Sequence, residues 1–286
     1  MTRRVGLLGK PLKRRHSQVM HDAAFAAAGI DARYVLMEIE PEQVGPTVAA
    51  ARASDEWLGL GVTAPYKRVV ADLVDEVEPD AATIGAVNNV VRTSDGRLVG
   101  FNTDAPGFRA GVELAMGRSL DGVEVVVVGA GGAAHAVVFA CLDAGARSVR
   151  IANRTADAAV ALAARFADVG SGTVSAVDIA APEFVAALGS AGLAVNATTV
   201  GMVDAGMTIP LEVLPSTATV FDLVYVPAET PLLRAARARG LRAANGSEML
   251  VAQAAAAFER WTGVGGMADV MRSAVAPLLA DPTVRA

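Results

Sequence analysis

Short β-branched runs alternate with alanine-rich runs of helical period along the whole chain. "RVGLLG" (4–9) reads as a strand, and Ser17 can cap a helix reaching about Gly29, with Val19, Met20, Ala23 and Phe25 on one face. "ARYVLMEI" (32–39) is a second strand, and Pro41 starts a helix that runs to about Arg52. "WLGLGV" (57–62) is a third strand, after which Pro65 opens another helix. "AVNNVVR" and "LVGF" flank "TSDG" as a hairpin. A new unit begins near Pro106. Its "VEVVVVG" (123–129) is a continuous apolar run, the pattern of a strand covered on both faces. A glycine-rich turn and a helix follow, then strands in "SVRIAN" (148–153), "LAVNAT", "TVFDLVY" and "LRAA". From about Ser247 the chain is helical. The alternation predicts an α/β fold.

Composition narrows the function classes. The 286 residues are 53% hydrophobic and 19% charged, enough for a sizeable core. Net charge is −5, from 25 Lys+Arg against 30 Asp+Glu, which argues against a general nucleic-acid surface but leaves room for a small anionic ligand. Cys141 is the only cysteine, so neither a disulfide framework nor a cysteine zinc site can form, and a reducing compartment is expected. The N-terminal apolar run is too short for a signal peptide, and no uninterrupted apolar stretch reaches the ~18 residues of a membrane span. The expectation is a cytoplasmic protein without a membrane or nucleic-acid partner. His16, His21 and His135 lack metal-ligand spacing, so no metal is expected, and no G-x-S-x-G elbow marks a hydrolase. His21, His135 and Cys141 read as packed residues.

Gly129-Ala130-Gly131-Gly132-Ala133-Ala134 fits G-x-G-x-x-A between a buried strand and a helix. Glycines let backbone N–H groups approach a pyrophosphate, and the helix N-terminus favours its charge. A tight turn without a ligand is the other reading. The next strand ends in Asn153-Arg154-Thr155, where NAD sites carry an acid. Arg154 can pair with a 2′-phosphate and Thr155 can donate to it, which favours NADP with NAD as the alternative; Asp157 nearby opposes a phosphate. In the first unit, Lys67 follows a strand and Asp104 lies between the units. Hydride exchange at an alcohol carbon needs a proton donor and acceptor at its oxygen, a role a lysine can fill. Both residues can equally be surface charges, since spacing alone does not bring them together.

These residues carry a resemblance. "GKP", "VTAPYK", "GAVNN", "NTD", "GAGGAA", "NRT", "VNATTVGM", "FDLVY" and "MLVAQAA" occur in the order and at the intervals of the shikimate/quinate dehydrogenases, along nearly the full length. The resemblance implies an N-terminal α/β substrate-binding domain of residues 1–105 plus 247–286 and a Rossmann NAD(P)-binding domain of residues 106–246. It implies Lys67 and Asp104 as catalytic pair. Asn88, Asp104 and Gln253 would hold ring hydroxyls, with Tyr225 near the substrate. Gly129, Ala130, Gly131, Gly132, Ala133, Asn153, Arg154, Thr155, Thr198, Val224 and Met249 would contact the cofactor. The activity implied is oxidoreduction of a shikimate-like hydroxy-cyclohexene carboxylate with NADP(H), within aromatic amino acid biosynthesis, by a monomer or homodimer.

The chain departs from the family pattern at "LGKPLKRRHSQVMH" (8–21). The family carries two hydroxyl residues one apart that bond the substrate carboxylate. Here those positions are Arg15 and Ser17, with Gln18 in place of the usual proline. Gly61, Ala64, Glu248 and Ala158 also replace the usual Asn, Val, Gly and Arg. Arg15 can bind the carboxylate as a fork, fill the pocket and alter the substrate, or point to solvent with Lys13 and Arg14, leaving Ser17 to hold the carboxylate. A different substrate, such as quinate or another hydroxy acid with NAD, and a silent paralogue that only binds metabolite or dinucleotide remain as rival readings.

Overall fold

The computed structural model describes residues 2–12 and 14–280; Lys13 of the basic cluster lies outside them. The chain divides into two compact units, residues 2–104 with 251–278, and residues 105–250 with 279–280.

In the first unit the strands are β1 (Arg3–Gly9), β2 (Ala32–Glu38), β3 (Trp57–Val62), β4 (Glu76–Val77), β5 (Asn89–Arg92) and β6 (Leu98–Phe101). They form one mixed sheet in the order β2-β1-β3-β5-β6-β4. β1 is parallel to β2 and β3, while β5 is antiparallel to β3 and β6. Its helices are α1 (His16–Ala27), α2 (Pro41–Ala53), α3 (Lys67–Ala71) and α4 (Pro79–Ile84). One core joins Leu8, Leu60, Val62 and Val90 of the sheet to Val44 and Val48 of α2. All six residues of β3 are buried, which matches the unbroken apolar character of "WLGLGV".

The first helix does not begin at a Ser17 cap. It starts at His16, with Arg15 in the capping position and no side-chain cap bond. His16, Met20 and Ala24 are buried at i, i+4, i+8 beside His21 and Phe25, so burial of this stripe sets the helix start. A serine cap is worth only about 1 kcal/mol against it.

The second unit opens with α5 (Asp104–Met116), whose first residue closes the first unit. It continues through β7 (Glu124–Val128), α6 (Gly132–Asp143), β8 (Ser148–Asn153), α7 (Ala156–Arg165), β9 (Thr173–Asp178), α8 (Pro182–Ser190), β10 (Leu193–Asn196), β11 (Thr219–Asp222), α9 (Pro231–Ala238) and β12 (Arg242–Asn245). All its strands are parallel, in the order β12-β11-β10-β7-β8-β9. This is the doubly wound order, with the reversal between β7 and β10, where such sheets bind ligands. Val126, Val128, Ala194 and Val220 of the sheet pack on Phe184 and Leu188 of α8 and Leu232 and Ala236 of α9. The chain leaves this unit inside α10 (Ser247–Thr262), between Leu250 and Val251, and then forms α11 (Ala268–Ala280).

No helix among the described residues is long and apolar enough to cross a membrane.

Candidate active site

The polar groups of the first unit gather where β3, β5 and β6 hand over to short connections. β3 leads through "TAPY" into α3, whose first residue is Lys67. β6 leads through Asn102 and Thr103 to Asp104, the first residue of α5. Lys67 Nζ lies 2.5 Å from Asp104 Oδ2, with side-chain exposures of 25% and 13%. Two residues 37 apart in sequence thus form a partly shielded, charge-assisted hydrogen bond.

The backbone around this pair is pinned on every side. Val87 N donates to Lys67 O (3.1 Å), Val62 N to Asn88 O (2.8 Å) and Asn88 N to Phe101 O (3.2 Å). Asn102 Nδ2 donates to Ala86 O (2.9 Å), and Asp104 N donates to Asn102 Oδ1 (2.9 Å). Asn88 is 7% exposed, and its Oδ1 accepts from Thr103 N and Asn89 Nδ2, both at 2.8 Å, while its Nδ2 donates to Thr103 Oγ1 at 3.2 Å. The amide is therefore fixed in orientation before any ligand arrives. Asn89 and Thr103, to which the sequence assigns no role, are what fix it.

Ser17 sits half-buried in the first turn of α1. Arg15 is exposed, and its Nε donates to Gln18 Oε1 at 3.0 Å; Gln18 Nε2 in turn donates to Tyr34 O at 3.1 Å. His16 and His21 are buried, and His21 stacks on Tyr34 with ring centroids 4.5 Å apart. Burial pushes His21 down to about 3, and burial together with Arg14 lowers His16. Both are therefore uncharged groups of the core near neutral pH. Gln253 is half-buried on α10.

In the second unit the glycine turn is made of backbone. Gly129 has φ +113°, and a Cβ there would stand 2.9 Å from Thr198 Cγ2 and 3.0 Å from Ala197, so only glycine lets the β7 turn lie against the loop after β10. Gly131 and Gly132 are exposed, and a Cβ on either would meet nothing within 4 Å. The first turn of α6 thus opens onto free space with its leading N–H groups lacking helical partners. A pyrophosphate fits that donor set and that space. At the end of β8, Asn153 Nδ2 donates to Thr155 O (3.0 Å), shaping a turn that leaves Arg154 and Thr155 exposed. Asp157 is exposed in the first turn of α7.

A buried network ties the ends of β10 and β11 together. Asn196 Nδ2 donates to Asp222 Oδ1 (2.9 Å), and Asn196 Oδ1 accepts from Thr198 Oγ1 (2.7 Å). Asp222 accepts from Val224 N (3.1 Å) and from Thr230 Oγ1 (2.7 Å), and is fully buried. Burial raises its carboxyl above the ordinary value, against the three hydrogen bonds that favour its charged form. This network holds the segments that carry Thr198, Val224 and Tyr225. Met249 is buried, its backbone N 2.9 Å from where a Cβ on Gly111 would stand. Neither Asn196 nor Asp222 stands out in the sequence. The available signal is a polar residue closing each of two otherwise apolar strands, "LAVN" and "TVFD".

Cys141 is buried mid-helix, and half-buried His135 packs edge-on to Phe166 at 6.1 Å, as expected for packed residues. Among the described residues no cluster of His, Cys, Asp and Glu could hold a metal.

The geometry agrees with what the chain is similar to. The shikimate dehydrogenase substrate binding domain matches residues 7–90, shikimate / quinate 5-dehydrogenase matches 113–200, and the shikimate 5'-dehydrogenase C-terminal domain matches 246–276. The chain is 43% identical to shikimate dehydrogenase (NADP(+)) of Symbiobacterium thermophilum over 94% of this chain and 92% of that protein. Shikimate 5-dehydrogenase from Thermus thermophilus, solved with NADP(H) and shikimate, superposes with a TM-score of 0.84 at 36% identity, covering 96% of this chain and 99% of that one. Quinate dehydrogenase from Corynebacterium glutamicum, solved with NAD, superposes with a TM-score of 0.89 at 33% identity over 96% and 97% of the two chains. The chain belongs to the shikimate dehydrogenase family.

Proposed function

We propose that this chain is an NADP-dependent oxidoreductase that interconverts 3-dehydroshikimate and shikimate, or a close hydroxy-cyclohexene carboxylate. The observation that carries this is the Lys67–Asp104 pair, 2.5 Å apart beside the immobilised Asn88 amide. The family's curated members support the activity and the cofactor.

When bound, NADP takes or gives the hydride. The chain does the rest. Asn88, Asp104 and Gln253 hold the ring hydroxyls, and Ser17 receives the carboxylate. In the reducing direction Lys67 Nζ gives a proton to the carbonyl oxygen as negative charge develops there; in the oxidising direction it takes the hydroxyl proton. A side chain one-quarter exposed exchanges that proton with solvent afterwards. Asp104 keeps the ammonium from swinging away and leaves its second oxygen for the substrate. An analogue lacking a hydroxyl strands these shielded groups and is rejected. Gly131, Gly132 and Ala133 cradle the pyrophosphate, and Arg154 and Thr155 take the 2′-phosphate. Thr198, Val224 and Met249 line the nicotinamide end, with Tyr225 toward the substrate. Arg15, committed to Gln18, leaves the carboxylate to Ser17.

A second reading, quinate with NAD, is favoured by Ala158, which leaves Arg154 as the one cation in "NRTADA". We place the enzyme in the cytoplasm as a monomer or homodimer. The test is a spectrophotometric screen at the nicotinamide absorbance band, pairing NADP and NAD with shikimate and quinate. Turnover highest with NADP and shikimate is expected. Tight cofactor binding without turnover in any pairing would leave a metabolite-binding paralogue.

A further inference from the structure

Two glycines of β3, Gly59 and Gly61, stand on the same face of the strand. Each leaves a notch, and the polar tip of an aromatic side chain enters it. A Cβ at 59 would lie 2.7 Å from Trp261 Nε1, and a Cβ at 61 would lie 2.5 Å from Tyr34 Oη. The two tips differ in what they find. Trp261 Nε1 donates to Val90 O at 2.9 Å, so the indole is satisfied where it lies. The Tyr34 hydroxyl makes no hydrogen bond to any described residue, although Tyr34 is only 3% exposed.

The unpaired hydroxyl is not the result of a loosely held side chain. Tyr34 N donates to Asp22 Oδ1 (2.7 Å), Tyr34 O accepts from Gln18 Nε2 (3.1 Å), and the ring stacks on His21 at an interplanar angle of 20°. Helix α1 thus grips Tyr34 by its backbone and by its ring. The notch it enters is also well placed. Gly61 pairs with Asn89, the next residue Val62 donates to Asn88 O, and the strand runs on from there to Lys67. Gln18, which holds the Tyr34 carbonyl, adjoins Ser17.

We propose that Tyr34 is a substrate-specificity residue, whose hydroxyl donates a hydrogen bond to an oxygen of the bound hydroxy acid, and that Gly61 provides the room for it. The inference rests on the dehydrogenase reading of this site and adds a ligand to it. Burial raises the phenol above its ordinary value, so it remains a donor over the whole working pH range. A donor on the floor of the sheet replaces what Arg15, turned to Gln18, does not supply. The oxygen it meets is a ring hydroxyl or the carboxylate, which analogues separate.

The experiment is Tyr34→Phe in the full chain, read by calorimetric titration with shikimate and by steady-state kinetics. Loss of one hydrogen bond to substrate is expected to raise the shikimate Kd and KM about tenfold, with kcat within about twofold and the KM for NADP unchanged. Melting temperature should hold, since phenylalanine keeps the stack on His21. Gly61→Ala, which drives a methyl group into the hydroxyl, should raise the shikimate KM in the same way. Decarboxylated and ring-deoxy analogues of shikimate identify the oxygen: the analogue lacking it loses nothing further on Tyr34→Phe. Unchanged shikimate affinity in both variants, with wild-type affinity established, overturns the proposal and leaves the dehydrogenase reading standing. A wild-type chain that neither binds nor turns over shikimate or quinate overturns both.

Discussion

The candidate sites of the two units are built from different material. In the first unit, side chains do the work: an ammonium, a carboxylate and a fixed amide, each locked by its neighbours. In the second unit the candidate pyrophosphate cradle is backbone, with glycines open to free space above a helix start. A side-chain site loses its chemistry when one atom group is removed. A backbone site loses affinity only when something is added to block it or when its flanking charge is reversed. The difference predicts which substitutions abolish turnover and which merely retune binding.

The largest effect is expected at Lys67. Lys67→Ala should lower kcat by at least ~100-fold, the usual scale of acid–base catalysis, with NADP affinity unchanged in a binding titration. Near-normal turnover would remove the ammonium from the chemistry and erase the contrast. Arg154→Asp should come next, lowering the NADP-to-NAD preference by about 10- to 100-fold, the value of one charge-assisted hydrogen bond, while kcat at saturating cofactor holds. An unchanged ratio of the two cofactors would show that the exposed guanidinium does not touch a phosphate.

Gly131→Val tests the cradle itself. A Cβ there meets no protein atom within 4 Å, so the fold should tolerate the substitution, but the side chain occupies the space a pyrophosphate needs. The KM for NADP should rise about tenfold or more, with melting temperature little changed. Equal KM values would mean the turn binds nothing.

The smallest effect separates the units by pH. His21 has its pKa lowered by burial to about 3, so its contribution to stability is lost as pH falls from about 6.5. Below that value the unfolded chain takes up a proton that the folded one refuses, a slope of about 1.4 kcal/mol per pH unit. His16 acts with the same sign. Asp222, raised by burial, has the opposite sign: its contribution is present at low pH and is lost as pH rises through its folded pKa. Denaturant unfolding between pH 7 and 5, compared with His21→Phe, should show a shallower slope in the variant. Parallel slopes would show that the imidazole titrates alike in both states.

Much of this is legible in the sequence. Runs such as "VEVVVVG" announce a doubly covered strand because four consecutive valines leave no polar face, and the glycine turn that follows can be placed by its φ requirement. Lys67 and Asp104 can be nominated by motif, but only the fold brings side chains 37 residues apart to 2.5 Å. β9 escapes a reading by pattern because it lies at the edge of its sheet and buries none of the residues of "TVSAVD" fully, so no apolar run marks it. The start of α1 misleads because a local cap signal at Ser17 competes with a burial stripe that becomes visible only against the sheet. Asn196 with Asp222, and Tyr34 over Gly61, are pairings of residues 26 and 27 apart, respectively, and no local pattern encodes either.

The return of the chain to the first unit takes place in mid-helix, between Leu250 and Val251 of α10. No flexible joint marks that crossing, so neither unit can be excised by trimming at a loop. A truncation at residue 250 would sever a helix of 16 residues and strip the first unit of Gln253, Phe258 and Trp261. Chimaeras that exchange cofactor modules between relatives will therefore need to carry this helix whole, joining donor and recipient beyond its ends.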